Sequence, residues 1–302
     1  MKDMNHDELS EGIPVRPTYL VTGATSGVGH AIAAQLAARD ARVLLGARSA
    51  HSGHTAAAAI KAQIPRADLK VMAADLSDMK QVRSLAEQVR RHATRLDGLI
   101  LNAAEVRTRR ELTPDGFEVN FATNYLSGFL LTQLLLPLLT NSAPARIVAL
   151  SSSNHTHVKS LDLDALPTGS DFSHTQTYST TKLLNVIFVS ELARRLHGTS
   201  VTANAADPGF VRTNLGRHAT GPFGLFLKVM RPFQTSPEKA ARTPVHLATA
   251  PEVAATSGGY FANSRPAPPS PLSQDPAIAR KLWDFSVALL GQGNLASGDE
   301  LI

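Results

Sequence analysis

Short apolar runs alternate with longer stretches of helical periodicity along most of the chain. Residues 19–22, 41–47, 69–73, 96–101, 146–150 and 201–205 are rich in Val, Ile, Leu and Ala and read as strands. Between them, 28–39, 51–63, 79–91, a long segment within 115–139, and 177–196 carry apolar residues at helical spacing. The strands are almost continuously apolar, as required when both faces of a sheet are covered. Strict strand–helix alternation then predicts a parallel sheet with helices on both faces, in a single α/β domain over residues 17–302. No repeat and no linker interrupts 18–262. Residues 264–276 are proline-rich and read as a surface excursion, leading into a last helix that Gly291 ends. Residues 1–16 are polar and acidic, without the apolar core of a secretory signal, and read as a flexible leader. The apolar stretch 129–139 is interrupted by Gln133 and Pro137 and falls short of the roughly 20 residues that a bilayer span needs. The expectation is a cytoplasmic protein without a stable membrane anchor.

Composition narrows the function classes. With 43% apolar and 18% charged residues, the 302-residue chain is globular rather than disordered. Its formal charge is +5, but the Lys and Arg are scattered and aromatics make up only 5%. That pattern speaks against a nucleic-acid surface and for an anionic small ligand. The absence of cysteine excludes disulfides, thiolate catalysis and Cys-ligated zinc. His155 and His157 flank Thr156, with His174 further on, but no acidic cluster at ligand spacing accompanies them, so no metal is expected.

The segment 22–29, Thr-Gly-Ala-Thr-Ser-Gly-Val-Gly, joins the first strand to the first helix. Glycines there permit a tight turn and let backbone N–H groups approach a pyrophosphate at the positive end of a helix. Thr22, Gly23, Thr25, Ser26, Gly27, Val28 and Gly29 are therefore candidate cofactor residues. The spacing is G-x3-G-x-G, and the strand-to-helix junction is what makes it informative. Arg48 ends the second strand, about 20 residues on, where an acidic side chain would accept from the 2′-hydroxyl of NAD. A guanidinium fork suits a 2′-phosphate instead, which points to NADP(H). Asp75 and Leu76 follow the third strand, where a carboxylate could accept from the adenine amino group. A helix N-cap role, shared with Ser77 or Asp78, is the alternative.

Tyr178 and Lys182 lie four residues apart on one face of a predicted helix. A tyrosine with its ordinary pKa of about 10 is a poor acid–base catalyst, and a neighbouring cation stabilises the phenolate. Ser151, Ser152 and Ser153 follow the fifth strand, at the sheet edge that lines the ligand crevice of such folds.

The glycine turn, Asn102-Ala103-Ala104, Asn124, the serine run, Tyr178-x3-Lys182 and Pro208-Gly209 occur in this order at family spacings. Over residues 18–261 the chain resembles the short-chain dehydrogenase/reductase superfamily. The stretches 115–132, 182–196 and 281–291 resemble its retinol-dehydrogenase-like branch. The resemblance implies a Rossmann-type doubly wound sheet and an NADP(H)-dependent oxidoreductase interconverting a carbonyl and an alcohol on a small molecule. It further implies that Tyr178 transfers the proton, and that Lys182 lowers the Tyr178 pKa and holds the nicotinamide ribose. Ser152, the second serine of the run, would bond the substrate oxygen, and Asn124 would hold a water linking Lys182 to solvent. Asn102 and Ala103 would line the cofactor, Pro208, Gly209 and Val211 would shape the nicotinamide pocket, and Thr213 would meet the pyrophosphate or carboxamide. The chain departs from the family pattern at Ala104, where glycine is usual, at Ser127-Gly128 and at His30.

Residues 213–235 would form a lid, and Leu215, Phe223, Leu225 and Phe226 make it greasy. A lipophilic substrate follows, with His155 and Phe210 as further pocket residues; an amphipathic helix covering the core is the other reading. Two alternatives stand beside the retinoid-like one: a ketoreductase acting on natural-product ketones, and a catalytically silent NADP(H)-binding regulator. The intact Ser-Tyr-Lys-Asn set opposes the latter. The apolar runs 129–139 and 183–192 allow a homodimer or homotetramer, and an extended C-terminus allows a monomer.

Overall fold

Leu20 of β1 (Thr18–Val21) pairs with Leu44 of β2 (Arg42–Ala47) on one side and Leu99 of β4 (Gly98–Leu101) on the other. Leu99 in turn pairs with Ile147 of β5 (Ala145–Leu150), and Ile147 with Ala203 of β6 (Val201–Asp207). This row lies in one core; Val21, Leu45, Ile100 and Val148, each one residue further along, lie in the other. Period-two alternation of side chains thus feeds two cores, one on each face of the sheet. In this computed structural model, residues 16–211 and 234–291 are described. The expected leader and most of the expected lid, Thr213 included, lie outside them.

Among the described residues the sheet has eight strands in the order β3-β2-β1-β4-β5-β6-β7-β8, parallel except for β8. β3 is Asp68–Ala73. The order reverses between β1 and β4, and such a switch point opens a crevice beyond the strands' C-terminal ends. The doubly wound α/β fold read from the sequence is the fold observed. β7 (Tyr260–Ala262) and β8 (Arg265–Pro266) lie beyond the predicted alternation. They are only three and two residues long, joined through Asn263 and Ser264 at φ 52° and 59°, too short for a periodic signal.

α1 (Gly27–Ala37) covers one face, and α8 (Arg242–Thr249) packs beside it after the short α7 (Pro237–Ala240). α2 (Ala50–Gln63) starts at Ser49, whose side chain accepts from Ser52 N. α3 (Met79–His92) is capped by Asp78 and by Asp115, whose Oδ2 accepts from Met79 N at 2.9 Å. The helix expected within 115–139 begins at α4 (Val119–Phe121). Gly116 at φ 82° closes a turn first, and Glu118 then caps the helix by accepting from Phe121 N. A π-helical turn, Ala122–Leu126, leads into α5 (Ser127–Asn141). The combined helix is long and apolar enough to cross a membrane, but 83% of its most apolar window is buried inside the fold.

α6 (His174–Arg195) and α5 carry the apolar runs that the sequence leaves available for a subunit interface. Within the chain, α9 (Pro276–Gly291) packs against both. Trp283 lies 4.9 Å from Phe129 edge-on and stacks on Phe188 at 6.1 Å. The Arg195 guanidinium sits 4.2 Å over its outer face, and Tyr125 Oη shares a hydrogen bond of 2.7 Å with Ser286 Oγ.

Candidate active site

The turn after β1 is tied to the residues that directly follow β4. Thr22 Oγ1 accepts from Asn102 N at 2.9 Å and from Ala103 N at 3.0 Å. Asn102 Nδ2 donates to the carbonyls of Thr22 at 2.8 Å and Gly23 at 3.2 Å. Asn102 therefore clamps the turn rather than simply lining it. Gly23 and Gly27 sit at φ 64° and 56°, where a side chain is strained. A Cβ at Gly29 would stand 2.3 Å from both Asn102 Nδ2 and Gly23 O. Ser26, the N-cap of α1, is extended and makes no side-chain cap bond, and Val28 turns into the core. The first-turn N–H groups of α1 are thus left without a side-chain acceptor, and a pyrophosphate fits that cradle. Thr25 is half-buried beside it.

The adenosine end differs from expectation in two details. Arg48 forms an ion pair with Glu105, in the loop after β4, instead of standing free. Asp75 spends Oδ1 on Ser77, accepting from its N at 2.9 Å and its Oγ at 2.8 Å. This is a local turn ahead of α3 whose N-cap proper is Asp78. Leu76 packs against the core.

The candidate proton-transfer residues come together where β5, β6 and α6 meet. Ser151 is buried and donates through Oγ to Lys182 O at 2.8 Å, while Ser153 is exposed. Ser152 lies between, and its hydroxyl bonds the Tyr178 phenol, lowering the phenol pKa. Lys182 is buried; its Nζ donates to Leu150 O at 3.1 Å and lies 5.5 Å from the Tyr178 ring centre. Burial lowers its pKa to about 8, opposed by the charge of Asp207. The phenol as a whole is pushed up to about 12, by burial first and then by the charge of Asp207. Desolvation disfavours the phenolate, and the lysine's own donor is turned to a carbonyl.

Asn124 occupies the π-turn. Its Oδ1 accepts from Glu105 N at 2.6 Å, and its Nδ2 donates to Glu105 O at 2.9 Å and to Thr181 Oγ1 at 3.2 Å. Both amide hydrogens are spent on protein, so only its acceptor positions could meet a water. Its main-chain carbonyl accepts from Asn185 Nδ2 at 3.1 Å, and the same amide bonds Leu150 O at 3.0 Å, the carbonyl that also holds Lys182.

His155, expected in the substrate pocket, has no exposed surface. Its Nε2 accepts from Ser270 N at 3.0 Å, which leaves the proton on Nδ1, 2.7 Å from Ser152 O. Burial holds its pKa below the ordinary histidine value, so the ring is neutral and braces the serine loop from behind. Its ring lies 4.7 Å from that of Tyr260, whose hydroxyl donates to Asp207 Oδ2 at 2.8 Å. Asp207 Oδ1 accepts from Gly209 N at 2.7 Å, fixing the Pro208-Gly209 turn with Gly209 at φ 78°. Phe210 is 46% exposed, and Val211 pairs with Thr235 at the root of the lid segment. Sequence reasoning missed Asp207, Asn185, Tyr260 and Glu105. Asp207 precedes a marked turn and Asn185 lies three residues after Lys182 on the same helix face, but an Asp or Asn at such a position is no signal by itself.

Residues 17–221 match a protein-family model described as short chain dehydrogenase. Human retinol dehydrogenase 14 is 39% identical over 290 residues, spanning 91% of this chain and 86% of that protein. Among solved structures, a protein from Mycobacterium paratuberculosis superposes with a TM-score of 0.73 at 30% identity, covering 92% of this chain and 94% of that one. The RhlG/NADP active-site complex from Pseudomonas aeruginosa superposes with a TM-score of 0.67 at 27% identity, covering 82% and 94%.

Proposed function

Because the chain belongs to the short-chain dehydrogenase family, in its retinol-dehydrogenase-like branch, we propose that it is an NADP(H)-dependent oxidoreductase interconverting a carbonyl and an alcohol on a lipophilic small molecule. The observation that carries this reading is the meeting of Ser152, Tyr178 and Lys182 beside the crevice, with the lysine buried and its Nζ 5.5 Å from the centre of the phenol ring. The glycine cradle and the α1 N-terminus would hold the pyrophosphate, and Arg48 the 2′-phosphate. Supporting a lipophilic substrate are the retinol dehydrogenase relatives and the exposed Phe210 at the root of an apolar segment. When bound, the nicotinamide supplies or accepts a hydride. Ser152 holds the substrate oxygen, and Tyr178 delivers its proton there during reduction. Lys182 stabilises the phenolate that remains.

The pH dependence follows. A phenol at about 12 stays protonated across the neutral range, so the acid is always loaded. Lys182 loses its charge as pH rises through about 8, and with it the stabilisation of the phenolate being formed. The expected kcat/KM for carbonyl reduction is level below that pH and falls above it. In Lys182→Arg the falling limb should move to higher pH; a limb that stays in place would remove Lys182 from this role.

The function itself is tested by fluorescence titration with NADPH and NADH, followed by a screen of aldehydes and ketones including retinaldehyde, reading loss of NADPH absorbance. Tight NADPH binding with turnover supports the reading. NADPH binding without turnover on any carbonyl favours a silent regulator, and binding of neither nucleotide sinks the proposal.

A further inference from the structure

We propose that Glu105 sets how strongly the site prefers 2′-phosphorylated over unphosphorylated nicotinamide nucleotides, by holding Arg48 in an ion pair that the phosphate must take over. The inference rests on the reading of Arg48 as the 2′-phosphate ligand and goes beyond it. Glu105 Oε1 pairs with Arg48, and Glu105 Oε2 lies 2.8 Å from Arg107 Nε. Arg107 also lies 3.5 Å from Glu111 Oε2. The carboxylate is thus shared between two guanidinium groups, and the three charges form one cluster at the crevice end of β2 and β4.

The two partners differ in freedom. The Glu105 side chain is only 17% exposed, and its backbone is bonded on both sides by the Asn124 amide, at 2.6 and 2.9 Å. The Arg107 backbone is held as well, its N donating to Asn120 Oδ1 at 2.9 Å, and its side chain, 37% exposed, is the more buried of the two arginines. The Arg48 side chain is 57% exposed at a strand end, so it is the member that can swing. If Arg48 turns to a phosphate, Glu105 keeps Arg107, and no half-buried carboxylate is stranded. The exchange is therefore feasible, but the phosphate must compete with a carboxylate for the same fork and then lie near that negative charge. NADH makes no such demand, and Arg48 can stay with Glu105 when it binds. Glu105 accordingly weakens NADPH binding selectively. Because Asn124 grips the backbone of Glu105 and belongs to the proton-transfer group, the residue has little room to move out of the way.

The test is equilibrium titration of NADPH, NADH and 2′,5′-ADP, followed by fluorescence or calorimetry, on the wild-type chain, Glu105→Gln, Arg48→Gln and the double variant. Glu105→Gln keeps the backbone bonds to Asn124 and removes the charge. NADPH and 2′,5′-ADP should bind about tenfold tighter to it, the worth of one charge-assisted contact, with NADH unchanged. In the Arg48→Gln background the same change should yield little or no gain. Glu105→Val, should it fold where Gln does not, is expected to act in the same direction. If Arg48→Gln weakens NADPH but Glu105→Gln does not tighten it, or tightens NADH equally, the role of Glu105 is overturned and that of Arg48 stands. If Arg48→Gln leaves NADPH affinity unchanged, the reading of Arg48 falls, and this inference with it.

Discussion

Replacing Tyr178 by phenylalanine is expected to lower kcat by roughly 10²–10⁴-fold, the range supplied by a positioned general acid, with nucleotide affinity unchanged. The substitution removes one oxygen and leaves the ring against which Lys182 lies at 5.5 Å. The Lys182 bond to Leu150 O and the Asn185 bond to the same carbonyl do not involve the phenol, so the cradle and the lysine remain in place. Single-turnover reduction under saturating NADPH separates the chemical step from binding. Retention of kcat within a few-fold would place the proton donor elsewhere, with Ser152 the first residue to re-examine.

Gly29→Ala should be nearly as damaging, by another route. The new Cβ would stand 2.3 Å from Gly23 O and from Asn102 Nδ2, far inside contact distance. The amide can retreat only by giving up its bonds to Thr22 O and Gly23 O. The Gly23 carbonyl belongs to a backbone already at φ 64°, and the ideal Cβ position of Gly23 itself lies 2.9 Å from Ala103 Cα, so the turn has little space into which to move. The expected outcome is a loss of about 1–3 kcal/mol of stability from overpacking. A fall of about a hundredfold in NADPH affinity should accompany it, because a displaced turn misplaces the N–H groups that face the pyrophosphate. Thermal denaturation and NADPH titration of the same preparation read the two effects separately. Normal nucleotide affinity in Gly29→Ala would show that this turn is not the pyrophosphate site.

Much of the site is legible in the sequence because its signals are local. Gly23, Gly27 and Gly29 lie within one strand-to-helix junction, and Tyr178 and Lys182 are one helical turn apart. Alternation of apolar runs and helical stretches likewise marks the strands β1 to β6, whose observed bounds differ from the predicted ones by two residues or fewer. The exact start of the helix before Asn124, at Val119, is not legible because a glycine turn and the Glu118 cap override an apolar periodicity that continues through them. The π-turn at Asn124 leaves no pattern at all in the spacing of side chains.

What the chain determines by itself is therefore the order of its main strands and helices, the family, and the candidate residues for a dinucleotide cradle and for proton transfer. Tertiary structure alone decided the rest, because it depends on neighbours distant in sequence. His155 became a buried brace only when Ser270, 115 residues away, closed over it. The faces of α5 and α6 were covered only when Trp283 docked between Phe129 and Phe188. Arg48 acquired Glu105 as a partner from the far side of the switch point. The proton on Tyr178 was decided in the same way: residue identity supplies a phenol, but burial and the charge of Asp207 hold its proton, and both exist only in the folded chain.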